Sequence, residues 1–317
     1  MTELQPGSTG AGAVDVVIVN WNSRDLLRRC LAALDTEPAG TVRDVVVVDN
    51  ASTDGSAEIP QIRQPVRVLS QDRNLGFGRA CNLGARAGQA PYILFLNPDT
   101  EVTDGCIAKA VEYLEAEPEA AVCGVRLIDL AGELQHHTIR FPGPMTIYSH
   151  AQRNNDFAHD ESRDVDHVMG AFYLIRRSLF EALGGFDDRF FVYLEDVDLS
   201  LRVRQAGYRV AYLNEAVCRH VGGGTSAQIP ARRLFYAMHS RLLYARKHFT
   251  LVERALVWSV TLAVEPWLRL AKAARKGSLA DMRSTVGAFG MLYAALLSRR
   301  AAARLTLGAD ETASRPR

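Results

Sequence analysis

The chain has 317 residues, enough for one large hydrophobic core or two smaller domains. Hydrophobic residues make up 48% and charged residues 23%, which is the composition of an ordinary folded globular protein. The five cysteines are scattered and form no C-x-x-C pair, which indicates a reducing compartment and argues against a zinc or disulfide framework. Neither a signal peptide nor an apolar run of membrane-spanning length is visible.

The net charge of +1 conceals a marked asymmetry along the chain. Residues 231–317 carry 16 Lys and Arg against 5 Asp and Glu, whereas residues 1–230 carry 21 against 31. An acidic front joined to a basic tail indicates two tasks, with the tail facing an anionic partner.

The front part reads as alternating strands and helices, after a leader over 1–13 that is predicted to be disordered. Four apolar, β-branched runs are predicted as buried strands, at 14–20, 45–48, 66–69 and 92–96. Helices are predicted over 24–34 and after Asn74, and the turn-and-cap sequence at 51–56 can open a short helix. This rhythm predicts parallel βαβ units in an α/β fold.

A polar residue follows each of these strands. The four residues are Asn20, Asp49, Asn74 and Asp99. Because ligands collect at the carboxyl ends of parallel strands, the pattern predicts a ligand site at this edge of the sheet.

The middle of the chain, 127–165, lacks clear periodicity and predicts a long connection of the kind that folds over a site. Its histidines, at 136, 137, 150 and 159, are interpreted as solvated loop residues rather than a metal cluster. Strands are then predicted over 167–177 and 209–213, with a helix over 178–183 between them. The glycine-rich segment 218–226 is predicted to be a flexible loop.

Three carboxylates lie within four positions, at Glu195, Asp196 and Asp198, where a helix begins. The first turn of a helix stabilises negative charge through its free N–H groups and the macrodipole. A carboxylate kept ionised there can accept a proton from a substrate hydroxyl. Ordinary capping of the helix is the alternative interpretation.

Asp99, at the end of an apolar strand, can hold a divalent cation together with the oxygens of a diphosphate, and His220 can supply a second ligand. A lone surface acid and a lone histidine are the alternatives. Gly76 and Gly78 open a helix and allow close backbone approach to a ligand. Neither the full dinucleotide fingerprint nor a phosphate-binding P-loop is present, which argues against hydride transfer and ATP hydrolysis.

Taken together, the motifs resemble inverting glycosyltransferases of family 2, which have the GT-A fold: a Rossmann-like, mostly parallel central sheet with flanking helices. The similarity covers about residues 14–226 and, within the family, is greatest to bacterial rhamnosyltransferase-like enzymes. The matching segments, in the family's order, are VNWN at 19–22, VDNASTDGS at 48–56, NLGFG at 74–78, LNPD at 96–99, GFD at 185–187 and EDVD at 195–198.

The resemblance implies a role for each matching residue. Donor and nucleotide binding would involve a set at the sheet edge, namely Asn20, Trp21, Asp49, Asn74, Gly76 and Asn97. Asp99 and His220 would hold Mn²⁺ or Mg²⁺. Asp196 would be the general base with Glu195 beside it, and Gly170 and Asp198 would lie on the acceptor side.

The implied reaction is inverting transfer of a sugar, with rhamnose favoured, from a dTDP- or UDP-linked donor to a glycan or polyprenyl-linked acceptor in cell-wall or surface polysaccharide synthesis. The chain departs from the family at Asn97, where many members carry an acid, and this departure bears on metal affinity. The alternatives are a non-catalytic member that binds sugar nucleotides, and a nucleotidyltransferase.

The chain is therefore divided into a GT-A domain over 14–229, a basic amphipathic helical region over 230–300 and a disordered tail over 301–317. Helices with tryptophans, apolar faces and flanking basic residues are typical of membrane-surface contact. This predicts a cytoplasmic protein on the inner face of the cell membrane. A soluble helical cap that packs on the catalytic domain, or on the second subunit of a homodimer, is the alternative, and nucleic-acid binding is not expected.

Overall fold

The computed structural model describes residues 13–56, 58, 62–103, 105–135, 140–148, 160–222 and 229–306. Within these residues, one sheet contains nine strands. They are β1 (Val14–Asn20), β2 (Val42–Asp49), β3 (Val66–Ser70), β4 (Tyr92–Leu96), β5 (Thr100–Val102), β6 (Ala120–Ile128), β7 (Arg163–Val165), β8 (Phe172–Arg176) and β9 (Arg209–His220).

Helices cover both faces of the sheet and form the C-terminal region. They are α1 (Arg24–Leu34), α2 (Phe77–Arg86), α3 (Cys106–Ala116), α4 (Arg177–Ala182), α5 (Glu195–Gln205), α6 (Pro230–His248), α7 (Leu251–Ser259), α8 (Glu265–Arg275), α9 (Leu279–Leu297) and α10 (Arg299–Thr306). A π-helical turn, Val260–Val264, joins α7 to α8, and a short 3₁₀ helix covers Thr146–Tyr148.

The strands run in the order β3-β2-β1-β4-β8-β6-β9-β5, and β7 pairs with β9. The first four are mutually parallel, as predicted. Beyond β4 the sheet is mixed, because β8 runs antiparallel to both β4 and β6. The carboxyl ends of β1, β2, β3 and β4 therefore meet at one edge, where the polar residues were predicted to gather.

The apolar runs predicted as buried strands have a core on each side. Val16 and Ile18 pack with α1 and α3 on one face, whereas Val17 and Val19 pack with α2 and α5 on the other. Alternate residues of a strand point to opposite faces, so a strand covered on both sides must be apolar throughout. The prediction of an α/β fold is confirmed.

The C-terminal helices pack onto the sheet domain through α6. Tyr236 stacks on Phe191 with ring centroids 4.3 Å apart, and the Ser240 hydroxyl donates to the carbonyl of Val192 over 2.8 Å. Both contacts fix α6 to the segment that leads into α5. No helix among the described residues is long and apolar enough to cross a bilayer.

Several sequence predictions need correction. Residues 51–56 form turns rather than the start of a helix, and the last predicted strand runs on through His220, so Cys218–His220 are not a loop. Helix α10 extends into the segment predicted to be a disordered tail. The histidines at 136, 137, 150 and 159 lie outside the described residues, as do 1–12 and 223–228.

Helix α3 and strand β6 were not predicted at all. The spacing of Ile107, Ala110, Val111 and Leu114, all buried on one face of α3, is nevertheless a helical signal. Strand β6 is central, with eight of its ladder positions paired to β9, so the second half of the sheet depends on it.

Candidate functional site

Asn20 and Asp49 meet at the carboxyl ends of β1 and β2. The Asn20 side-chain amide donates to Asp49 Oδ1 and to the Ser56 hydroxyl, each over 2.8 Å, and its own oxygen accepts from the Ser23 hydroxyl. Asn20 is fully buried. Its donors are committed within the protein, so it positions Asp49 rather than contacting a nucleoside directly.

The loop after β2 closes over this pair. Ser52 donates its backbone N–H to Asp49 Oδ2 over 3.1 Å, and the Asn22 side chain accepts from the backbone N–H of Thr53 over 2.8 Å. Asn22 and Ala51 have φ of 48° and 61°, a left-handed backbone that the loop contacts must stabilise. Trp21, which directly precedes Asn22, remains partly exposed.

Gly76 lies where two segments of the candidate site come into close backbone contact. Asn74 accepts from its N–H over 2.9 Å, and its φ of 82° suits glycine. A Cβ here would collide with the carbonyl oxygen of Phe191, which accepts from the N–H of Phe77 over 2.7 Å. The close approach predicted for a ligand is made instead by the backbone that leads into the acidic stretch.

Asp99 and His220 lie side by side because β5 pairs antiparallel with β9, with Thr100 opposite His220. Asp99 Oδ1 and His220 Nε2 are 3.5 Å apart, and both side chains are about nine-tenths buried. Among the described residues, no group of three or more His, Cys, Asp or Glu side chains could share a cation, so these two form a pair. Asn97, two residues before Asp99, is partly exposed at the same turn.

Gln135 sets the orientation of the His220 ring. The Gln135 amide nitrogen donates to the His220 carbonyl. The Gln135 amide oxygen, 2.8 Å from His220 Nδ1, therefore accepts a hydrogen bond from a protonated Nδ1. In neutral His220 the Nε2 lone pair then faces the Asp99 carboxylate. Two facing acceptors are an arrangement that a cation or a proton between them stabilises, and a hydrogen bond to the far nitrogen is what metal-binding histidines ordinarily have. The pair therefore fits a divalent cation.

Asp196 stands in the first turn of α5, and its carboxylate is only partly buried. Oδ2 accepts from the N–H of Gly170 over 2.9 Å, and Oδ1 accepts from the N–H of Val197 over 2.8 Å. A Cβ on Gly170 would lie 3.4 Å from Oδ2. The two N–H groups and the helix N-terminus hold the carboxylate in one position while it remains partly exposed.

A two-residue stretch of backbone joins this carboxylate to the turn that carries Asp99. Gly170 holds Asp196, and the next residue, Ala171, accepts from the N–H of Asn97 over 3.0 Å. The predicted base and the predicted metal-binding turn are thus neighbours across one strand end.

Glu195 is buried next to Asp196, and its Oε2 has no hydrogen-bond partner among the described residues. Burial first, and then the charges of Asp196 and Asp198, raise the pKa of the Glu195 carboxyl well above its ordinary value. Glu195 therefore contacts the protein interior rather than substrate. Tyr193 and Leu194, directly before Glu195, have a left-handed backbone conformation with φ of 73° and 67°.

Replacing Glu195 by Gln is expected to stabilise the protein increasingly as the pH rises above about 4.5, the ordinary pKa of glutamate. Because the pKa is raised in the folded state, folding favours the protonated form, and ionisation opposes folding at higher pH. Urea denaturation of both proteins from pH 4 to pH 8 tests this. A difference in unfolding free energy that stays constant across that range would contradict the raised pKa.

Asp198 does not face the acceptor side, contrary to the prediction. Its carboxylate is fully buried and pairs with Arg202 Nε at 2.9 Å, Lys247 Nζ at 2.6 Å and His248 Nε2 at 2.7 Å. Two of these partners belong to α6. Asp198 therefore fastens the helical region to the helix that carries Asp196.

His167 is a residue of this site that the sequence did not single out. It is buried in the connection between β7 and β8, its Nε2 lies 3.2 Å from the Arg140 carbonyl oxygen, and its Nδ1 has no partner among the described residues. Burial lowers the pKa of His167, although the nearby Asp196 charge opposes this shift. A lone histidine outside any motif carries no sequence signal for this placement.

Known proteins can now be compared with this geometry. The sequence model of the family described as "Glycosyl transferase family 2" matches residues 15–184. An N-acetylglucosaminyl-diphospho-decaprenol L-rhamnosyltransferase of Mycobacterium tuberculosis is 29% identical over 303 residues, which is 86% of this chain and 97% of the relative. Rhamnosyltransferase WbbL of Escherichia coli is 29% identical over 63% of this chain and 80% of its own length.

A solved structure shares the architecture. Mannosyltransferase PcManGT from Pyrobaculum calidifontis, determined with GDP-Man and Mn²⁺, superposes with a TM-score of 0.54 at 20% identity, covering 97% of this chain and 87% of that one. At this identity the likeness shows the fold alone, which confirms the GT-A prediction. The family model covers more than half of the chain, and the protein therefore belongs to glycosyl transferase family 2 and is a glycosyltransferase.

Proposed function

We propose that this protein transfers a sugar, with inversion at the anomeric carbon, from a nucleotide-diphosphate donor to a polyprenyl-linked acceptor in cell-wall or surface polysaccharide synthesis. The observation that carries the proposal is the Asp196 carboxylate, held by Gly170 and half open beside the turn that carries Asp99. A single fixed base beside a diphosphate site is what a direct displacement requires.

In the proposed step, the Asp196 carboxylate takes the proton of an acceptor hydroxyl. The hydroxyl oxygen forms a bond to the anomeric carbon on the face opposite the diphosphate, and the carbon–oxygen bond to the diphosphate breaks. Asp49, held by Asn20 and Ser52, would bind the nucleoside. The acceptor hydroxyl would reach Asp196 from its partly exposed side.

Asp99 and His220 are the residues that would hold a divalent cation. They offer one carboxylate oxygen and one imidazole nitrogen, a mixed set that favours Mn²⁺ over Mg²⁺, because Mg²⁺ prefers oxygen ligands. When bound, the ion would neutralise the charge that develops on the departing diphosphate. The PcManGT structure, and a GalNAc-T7 structure solved with UDP and Mn²⁺, support this assignment.

The relatives supply the argument for rhamnose and for a lipid-linked acceptor. The Mycobacterium tuberculosis relative, which aligns over nearly its full length, is named for rhamnosyl transfer to a decaprenol-linked sugar. Applied to this chain, the name favours dTDP-rhamnose as donor and an acceptor that resides in the cell membrane. We place the reaction at the inner membrane face, where sugar nucleotides are available.

Purified protein is expected to release dTDP from dTDP-rhamnose when Mn²⁺ and a lipid extract containing polyprenyl-linked acceptors are both present. Parallel reactions with UDP- and GDP-sugars, with the lipid omitted, and with a chelator in place of the metal provide the controls. Release that needs both lipid and metal supports the full proposal. Release from a different nucleotide sugar would exclude rhamnose, and donor binding without any release would favour a non-catalytic role.

A further inference from the structure

Helices α7 and α8, with the π-helical turn between them, form one continuous rod whose outward side is apolar. Six large apolar side chains are 42% to 80% exposed on its outward side: Leu251, Val252, Leu256, Val264, Trp267 and Leu268. Of the large hydrophobic residues exposed in the described parts of the chain, only Leu130 and Met145 lie before this helical region. These six residues are called the outer face below.

The inward side of the same rod carries buried polar contacts beside apolar ones. Val257 packs into the core of the helical region, while Thr261 shares a 2.8 Å hydrogen bond with the Tyr148 hydroxyl and Glu265 pairs with Arg241. A helix on a protein surface in water ordinarily keeps its large apolar residues inward and its polar residues outward. Here packing turns Thr261 and Glu265 inward and leaves the six residues of the outer face exposed.

The outer face stays on one side along the whole rod. Val252, Leu256, Val264 and Leu268 recur at multiples of four residues. The π-helical turn at Val260–Val264 adds a residue per turn at the midpoint, which offsets the drift of a four-residue repeat around a 3.6-residue helix. At 1.5 Å per residue the apolar strip, from Leu251 to Leu268, is about 26 Å long.

Basic residues continue the strip where the apolar ones stop. Lys272, Arg275 and Lys276 are all exposed, and Arg283 is exposed at the start of the adjacent α9. Exposed apolar residues with a tryptophan among them, ending in a basic cluster, match the interface of an anionic bilayer. A second copy of this chain fits less well as the partner, because it would bring the same positive cluster.

We infer that the outer face is the surface by which the enzyme lies on an anionic membrane, with α7 and α8 parallel to the bilayer plane. This inference rests on the proposed function for its purpose, since it identifies what holds the enzyme at a lipid-linked acceptor. The outer face begins close to the helix that carries Asp196. Thr250 caps the start of α7 through a capping box with Glu253, and His248, two residues before Thr250, binds Asp198 on α5. The membrane surface and the catalytic helix α5 are thereby joined through α6.

The test uses the full-length protein and vesicles of phosphatidylcholine with or without phosphatidylglycerol, with no sugar donor present. Binding is therefore measured independently of whether the transferase proposal holds. We expect co-sedimentation with the phosphatidylglycerol vesicles. The double substitution Trp267→Ser with Leu268→Ser should weaken binding by at least roughly tenfold. The triple substitution Lys272→Gln, Arg275→Gln and Lys276→Gln should weaken it on the order of a hundredfold.

The matched control is Leu130→Ser with Met145→Ser, which removes two equally exposed apolar residues outside the outer face. It should bind the vesicles as the unaltered protein does, and circular dichroism should show all variants folded. Vesicle binding that survives the Trp267 and Leu268 substitutions, or that is absent from the unaltered protein, overturns the inference. The inference is also overturned if sedimentation equilibrium shows that the Trp267 and Leu268 substitutions convert a dimer into monomers without changing vesicle binding.

Discussion

Replacing Asp196 by Asn should reduce sugar transfer on the order of 10²- to 10⁴-fold while leaving donor binding nearly unchanged. The asparagine oxygen can still accept a hydrogen bond from the Gly170 N–H, and of the two backbone contacts only the one from the Val197 N–H is lost. What is lost is the capacity to take the proton of the acceptor hydroxyl. Donor affinity by calorimetry and diphosphate release with the lipid acceptor measure the two effects separately.

Glu112→Gln is a suitable control for this experiment. Glu112 lies on α3, exposed and on the other face of the sheet from α5, so its neutralisation should change neither binding nor transfer. Near-normal turnover by the Asp196 variant would show that another group removes the proton. Loss of donor binding together with transfer would instead indicate that Asp196 supports the nucleotide site.

Replacing Asp198 by Ala should lower the free energy of unfolding at pH 7 by about 3–5 kcal/mol, because it removes the buried carboxylate that pairs with Arg202 and Lys247 and leaves Lys247 with Asp187 alone. Burial tends to raise the pKa of Asp198, but the hydrogen bonds from His248 and Lys247 outweigh it and lower that pKa. The stabilisation is therefore present above the ordinary aspartate pKa and is lost as the pH falls below it. Urea denaturation at pH 7 measures the change.

The exposed pair of Asp164 with Arg209, 3.0 Å apart, provides the comparison. Asp164→Ala should cost no more than about 1 kcal/mol, because solvent screens a surface ion pair and both side chains are free to find other partners. Equal effects of the two substitutions would mean that the Asp198 cluster does not fasten α5 to α6. Transfer activity should fall with the Asp198 substitution only to the extent that folding does.

Much of the candidate site lies at the ends of strands, and the ends of these strands can be predicted from the sequence. The apolar runs that close at Asn20, Asp49 and Leu96 had to be buried strands, and parallel strands bring their carboxyl ends to one edge. Which side chains then face a ligand is a separate question. Asn20 turns inward because Ser23, Ser56 and Asp49 surround its amide, and those contacts join residues up to 36 positions apart.

Gly76 and Asp198 illustrate the same limit. The glycine motif indicates a tight backbone approach, but the partner at Gly76 is the carbonyl of Phe191, more than a hundred residues later. The acidic stretch indicates a charged helix start, but Asp198, two residues after Asp196, points to Lys247 and His248. Helical periodicity separates Asp196 from Asp198 by two residues, and so by about 200° around the axis, which sends them to different neighbours.

The sequence by itself determined the α/β class, the family and the position of the strand-end residues, because these depend on local periodicity and short motifs. The tertiary structure decided which of those residues meet, how Gln135 orients His220, and that α7 and α8 turn their apolar side outward. Those outcomes depend on contacts between segments far apart in the chain. Local patterns indicate which residues prefer burial or a charged partner, whereas the packing of the whole chain determines which partner each residue contacts.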